Sequence, residues 1–144
     1  LKGLFRVWGR ILGLDCITVA AVNGHAFGAG ALLTSAHDRI VMRVDRGYWC
    51  MPEIDLGLPV SEVMIDLLTA RLPRTTMIRA INTGHRFTGP EAVTAGIADE
   101  AVALDEVLPR ALEFASSYAE KSREVLGTHK RMLHAAAIDR LSGV

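Results

Sequence analysis

The chain has 144 residues, half of them hydrophobic, and its sixteen basic side chains are matched by sixteen acidic ones. That length suits one domain with a core of its own. The even charge, with no cluster of Arg and Lys among aromatics, excludes a nucleic-acid surface, and the longest apolar runs fall far short of the ~20 residues that span a bilayer.

Taken in order, Leu4, Val7, Trp8, Ile11 and Leu12 recur at near-helical spacing and predict an amphipathic helix over residues 1–14, ended by Asp15. Residues 17–22 are apolar and β-branched at both parities, the pattern of a strand covered on both faces, which favours a parallel α/β arrangement. Asn23-Gly24 then turns the chain, and Gly28-Ala29-Gly30 opens a short helix to about His37. A second strand is expected over 39–43 and an extended piece over 48–51. Ser61 reads as the N-cap of a helix through Ala70, and Pro73 precedes another over 75–82. A short strand from His85 leads to Thr88 and Pro90, which start a helix that stops near Gly96. Residues 97–102 form the last strand. Asp105 is expected to cap a long helix to about Lys121, and one more helix runs from 122 or 123 to 137. No repeat or linker divides the chain, so residues 1–144 read as a single domain.

Two short segments carry chemistry. In ITVAAVNGHAFGAGALL (17–33) a buried-type strand runs through a glycine turn into a helix, which points backbone N–H groups at whatever binds there. The spacing is neither G-x-G-x-x-G nor a Walker sequence, and no nucleophilic Ser stands in a G-x-S-x-G turn. What remains is an oxyanion site, or glycines that only permit close strand-to-helix packing. In MPEIDLG (51–57) a lone Glu53 lies between apolar residues. Together the two suggest a site for developing negative charge served by one base. Other polar residues have plainer readings: His25 and Asp38 as turn residues, Asp55 in local hydrogen bonds, Glu62 in a first helical turn, Lys130 and Arg131 on solvated surface. Cys16 and Cys50 lack C-x-x-C or zinc spacing and are read as reduced, packed core residues, which places the chain inside the cell. The chain opens on Leu1 with no charged region leading into an apolar run, so no secretory signal is expected. The tail Ser142-Gly143-Val144 is not a peroxisomal address.

The segments AAVNGHAFGAGALLTSAHDRIVM, MPEIDLGLP and, more weakly, FTGPEAVTAGIADEAV resemble the crotonase family of acyl-coenzyme A enzymes. The likeness covers about residues 17–102 and fades in the terminal helices. It implies an α/β fold, a ββα spiral core followed by C-terminal helices, with residues 1–102 in the core and 103–144 in the helical part. Family members are much longer chains, so the resemblance is to their C-terminal half, the core is expected to be truncated, and the front half is expected to be missing. The resemblance also implies roles. The Ala29 N–H would be one oxyanion donor, its partner coming from an earlier strand outside the chain, and Glu53 would be the catalytic base. Phe27, Gly28, Gly30, Leu32, Trp49, Leu58 and Val60 would bind substrate. Hydratases of the family use two glutamates, and the positions that match them here are Leu32 and Glu53. Leu cannot move a proton, and DRGYWCMPEIDLGLPV looks most like the Δ3,Δ2-enoyl-CoA isomerases, which need one base. The implied reaction shifts a 3-enoyl-CoA double bond to trans-2-enoyl-CoA in fatty acid oxidation. Hydration or another crotonase reaction, and a non-catalytic fragment, are the alternatives. Because each oxyanion donor is worth about 3 kcal/mol, the isolated chain is expected to be a poor catalyst. No separate cofactor and no metal are implied, since coenzyme A arrives as part of the acyl-CoA substrate. A homotrimer or hexamer is implied, in a soluble intracellular protein that is cytoplasmic, or peroxisomal or mitochondrial in a eukaryote.

Overall fold

Segments that are apolar on both faces need cover on both faces, and the computed structural model, which describes residues 2–143, supplies it with helices. Leu1, in the expected first helix, and Val144, in the tail tripeptide, lie outside the described residues. Strand β1 (Val19–Val22) pairs in parallel with β3 (Arg39–Arg43), Val19 opposite Arg39. On its other side β3 pairs in parallel with β5 (Glu100–Val102), Val41 opposite Glu100. A second, smaller parallel pair joins β2 (Ala26–Phe27) to β4 (Trp49–Cys50), Ala26 opposite Trp49. Phe87 bridges antiparallel to Trp49.

Parallel neighbours need a crossover, and the chain makes it twice in one pattern of strand, strand, helix. The first turn is β1, β2 and α2 (Ala29–Ser35); the second is β3, β4 and α3 (Glu62–Thr69). Helix α4 (Arg74–Thr83) follows, then α5 (Gly89–Thr94) before β5. Leu32, Ile40, Met42, Trp49, Met51, Leu67, Leu68 and Phe87 are fully buried between these layers. Helix α1 (Lys2–Leu12) buries Phe5, Trp8, Gly9 and Leu12, one stripe at helical spacing, and packs on α8 (Ala135–Ser142). Helix α6 (Leu104–Ser117) lays Val107 and Ala111 on Val41 of β3.

Several expectations are corrected. The two-residue strand β2 falls where only a turn was read. The N-cap of α6 is Ala103, and Asp105 stands inside the first turn, where its charge complements the helix dipole. The last expected helix breaks at His134 (φ −113°, ψ 17°) into α7 (Arg123–Leu133) and α8. Cys50 is buried, but Cys16 is exposed, because β1 starts only at Val19 and leaves residue 16 in the link after α1.

Candidate active site

Strand β2 ends where Gly28 donates its N–H to the Cys50 carbonyl at 2.9 Å, so the small sheet runs to the threshold of α2. Gly28 then takes φ 51° and ψ −112°, a conformation that favours glycine. Ala29 begins α2 and is exposed, and no side chain caps the helix. The first-turn amides of a helix have no partner within it. A Cβ on Gly28 would lie 3.6 Å from Glu53 Oε1 and 3.9 Å from Pro52 Cδ, ordinary contact distances, so the carboxylate stands beside this turn and it is the positive φ that calls for glycine.

Glu53 is half-buried. Its Oε2 is shielded from solvent and has no hydrogen-bond partner among the described residues. Its backbone is fixed: Leu58 N–H and Leu56 N–H donate to the Glu53 carbonyl at 2.9 and 3.1 Å, and Asp55 N–H donates to the Pro52 carbonyl at 3.0 Å. The loop that results carries Ile54, Leu56 and Leu58, each more than half exposed, as an apolar rim beside the carboxylate.

The structure thus brings Gly28 to Glu53, with Phe27 and Ala29 its chain neighbours and Gly30 half-buried in the first turn of α2. Phe27 is half-buried, with the His25 ring edge-on at 5.4 Å and the Arg86 guanidinium 5.6 Å from its centroid. Leu58 is exposed on the Glu53 loop and Val60 is half-buried just beyond it. Leu32 and Trp49 present no surface: both are wholly buried, and Trp49 donates from Nε1 to Thr34 Oγ1 at 3.2 Å. His25 sits on an exposed turn, where Nδ1 accepts from Tyr48 N–H at 3.2 Å. Glu62 does stand in the first turn of α3, paired with Arg140 at 3.0 Å.

Lys130 does not lie on solvated surface. It is 3% exposed, and its ammonium donates to Asp38 Oδ2 at 2.7 Å and to the Cys16 carbonyl at 3.0 Å. Asp38, read as a turn residue, also accepts from the N–H and the hydroxyl of Thr18 at 2.8 and 3.0 Å. A readable signal existed: Gly127 and Lys130, three residues apart, fall on one face of α7 that the structure buries. A cleft of about 680 Å³ opens elsewhere, between α4 and α5, and includes neither Glu53 nor Gly28. Among the described residues no group of three or more His, Cys, Asp or Glu side chains could hold a metal ion, and no helix is long and apolar enough to cross a membrane.

Comparison with known proteins gives this geometry a family. The chain is 33% identical over 139 residues to enoyl-CoA delta isomerase 3 of Arabidopsis thaliana, an alignment that takes in 93% of this chain and 58% of that protein. It is 31% identical over 128 residues to carnitinyl-CoA dehydratase of Proteus mirabilis, covering 89% of this chain and 49% of the relative. The apo structure of the Mtb enoyl-CoA isomerase superposes with a TM-score of 0.91 at 26% identity, over 99% of this chain and 63% of that one. The chain therefore spans about half to two thirds of the length of the proteins it matches. The limits set on the resemblance do not stand. It is not confined to a C-terminal half, and the fold is not read as a truncated core, because the family match and the superposition both run through α1 and the last helices. With residues 2–143 matching the family model described as enoyl-CoA hydratase/isomerase, the chain belongs to that family.

Proposed function

We propose that this chain carries the proton-transfer site of an enoyl-CoA isomerase acting on an acyl-CoA thioester in fatty acid oxidation. Glu53 takes a proton from C2 of a 3-enoyl thioester. The electron pair moves onto the thioester oxygen, which the Ala29 N–H holds as an enolate. Glu53 then returns the proton at C4, and the carbonyl re-forms on the conjugated trans-2-enoyl thioester. The observation that carries this reading is the buried, unpartnered Glu53 Oε2 on a carboxylate whose other oxygen stands 3.6 Å from the Cβ position of Gly28. An amide aimed at developing charge is worth about 3 kcal/mol, and a positioned base about 10²- to 10⁴-fold. The apolar rim of Ile54, Leu56 and Leu58 supports an acyl tail over it. Leu32, where a hydratase would carry its second carboxylate, is fully buried and cannot activate water.

Glu53→Gln tests the reading. Isomerisation of a 3-enoyl thioester should fall by about 10²-fold or more while thioester affinity stays nearly unchanged. A near-normal rate removes Glu53 from the mechanism, and faster hydration of a 2-enoyl thioester than isomerisation replaces the reaction with that of a hydratase. The same proposal includes the substrate contacts at Phe27, Gly28, Gly30, Leu58 and Val60, while Leu32 and Trp49, wholly buried, belong to the core; it takes in a single domain over residues 1–144 and an intracellular setting. It also includes assembly as a homotrimer or hexamer. Leu104, Leu108 and Leu112, at 48%, 58% and 58% exposure along one face of α6, support such packing. Light scattering that finds only monomers would remove the assembly.

A further inference from the structure

Among the described residues the Glu53 Oε2 has no hydrogen-bond partner, so the direction of the carboxylate depends on the loop beneath it. That loop is seated at both ends on one residue. Before Glu53, the Cys50 thiol donates to the Gly84 carbonyl at 3.3 Å. After it, the side chains of Ile54 and Asp55 lie over Gly84: an added Cβ would meet Ile54 Cγ2 at 3.1 Å and Asp55 Oδ2, the end of an exposed side chain, at 2.8 Å. Gly84 is also the C-cap of α4, left-handed at φ 63° and ψ 24°, with its N–H on the Ala80 carbonyl at 3.1 Å. It is therefore fixed to a helix while it receives the loop. Its carbonyl, at the end of that helix, has no helical donor, and the Cys50 thiol fills that role.

We infer that Gly84 and Cys50 are positioning residues for Glu53: the end of α4 is the seat that sets where the carboxylate points. The inference rests on the reading of Glu53 as the base. Gly84 touches the loop through Cys50, Ile54 and Asp55, and because that loop also carries the Leu58 rim, displacement of its seat should lower kcat by more than it raises KM. Misplacing a reacting group by about 1 Å costs on the order of 10²-fold in rate.

The experiment compares Gly84→Ala, Cys50→Ala and Cys50→Ser in isomerisation assays, with amide hydrogen exchange on each protein. Gly84→Ala should lower kcat about 10- to 100-fold with KM within about twofold, and should speed exchange at the Leu56 and Leu58 amides while β1 and β3 remain protected. Adding Asp55→Ala to Gly84→Ala removes the nearest crowding atom and should restore part of kcat. Cys50→Ser keeps a donor for the Gly84 carbonyl and should retain most of kcat, whereas Cys50→Ala should lose it without a matching change in KM. Unchanged exchange at Leu56 and Leu58 in a folded Gly84→Ala protein overturns the inference, whatever the activity. So does unchanged kcat. If Gly84→Ala does not fold, the Cys50 pair decides: equal kcat in the Ala and Ser variants overturns the seat. Failure of the isomerase reading shows differently, as full activity in Glu53→Gln.

Discussion

At the scale of single residues, the molecule treats two of its half-hidden carboxylates, Asp38 and Glu53, in opposite ways. Asp38 is surrounded by donors: Thr18 through its N–H and hydroxyl, and Lys130 at 2.7 Å. Glu53 Oε2 has none. A buried acceptor left unpaired costs roughly 1–3 kcal/mol, and more if charged. Such an expense is kept where the free lone pair has work to do, whereas a fully bonded carboxylate does structural work. Lys130 ties α7 to the start of β3 through Asp38, so Lys130→Met should destabilise the fold by about 2–3 kcal/mol in urea unfolding. That is less than the ~3–5 kcal/mol for breaking a fully buried pair, because Asp38 is 21% exposed and keeps both Thr18 donors. A loss below about 0.5 kcal/mol, the size typical of a surface pair, would show that the pair does not hold α7.

Elements whose causes are local were legible. Helix α5 shows the rule: Thr88 Oγ1 accepts from Glu91 N–H at 3.3 Å and Glu91 Oε2 accepts from Thr88 N–H at 2.8 Å, a reciprocal cap with Pro90 in the first turn. Thr88→Ala should cost about 1 kcal/mol and Thr88→Ser almost nothing, as measured by denaturant midpoint; equal losses would mean the threonine methyl, not the hydroxyl, carries the effect. Strands β1 and β3 announced themselves in the same way, because two-sided apolar runs have few other uses. Strand β2 did not, since two residues beside Asn23-Gly24 carry too little pattern, and Ala26 becomes a strand only because Trp49 lies opposite. The break at His134 was hidden for a related reason. Its ring is partly buried near the Asp38 and Lys130 charges, and no Pro or Gly marks the position in the sequence. At the candidate site, Glu53 and Gly28 could be read from short motifs, while Gly84 could not. Its role exists only because α4 ends under a loop thirty residues earlier.

At the scale of the whole molecule, the stacking of strand, strand and helix collects charged and titratable groups from distant segments under the C-terminal helices, and this makes stability depend on pH in a specific order. His37 and His134 are both pushed below the ordinary imidazole value, first by burial. Asp38 opposes that shift, and Lys130 adds to it. In the unfolded chain both rings protonate near pH 6.5, whereas the folded protein resists the proton. The sign follows: between the lowered folded values and about 6.5 the unfolded state binds more protons, so stability rises with pH through that window and falls as pH drops into it. Glu91 and Glu100 are held below the ordinary carboxylate range, Glu91 by the Thr88 N–H and Glu100 by the Arg110 guanidinium. Their contribution is present at neutral pH and is lost only as pH falls through the carboxylate range near 4. Thermal unfolding should therefore show Tm declining in two stages on acidification, the first from about pH 6.5 and the second from about pH 4.5. In a His37→Gln/His134→Gln variant only the second stage should remain. A wild-type Tm that stays level from pH 7 to 5, or a first stage that survives both substitutions, would show that the buried imidazoles are not its source.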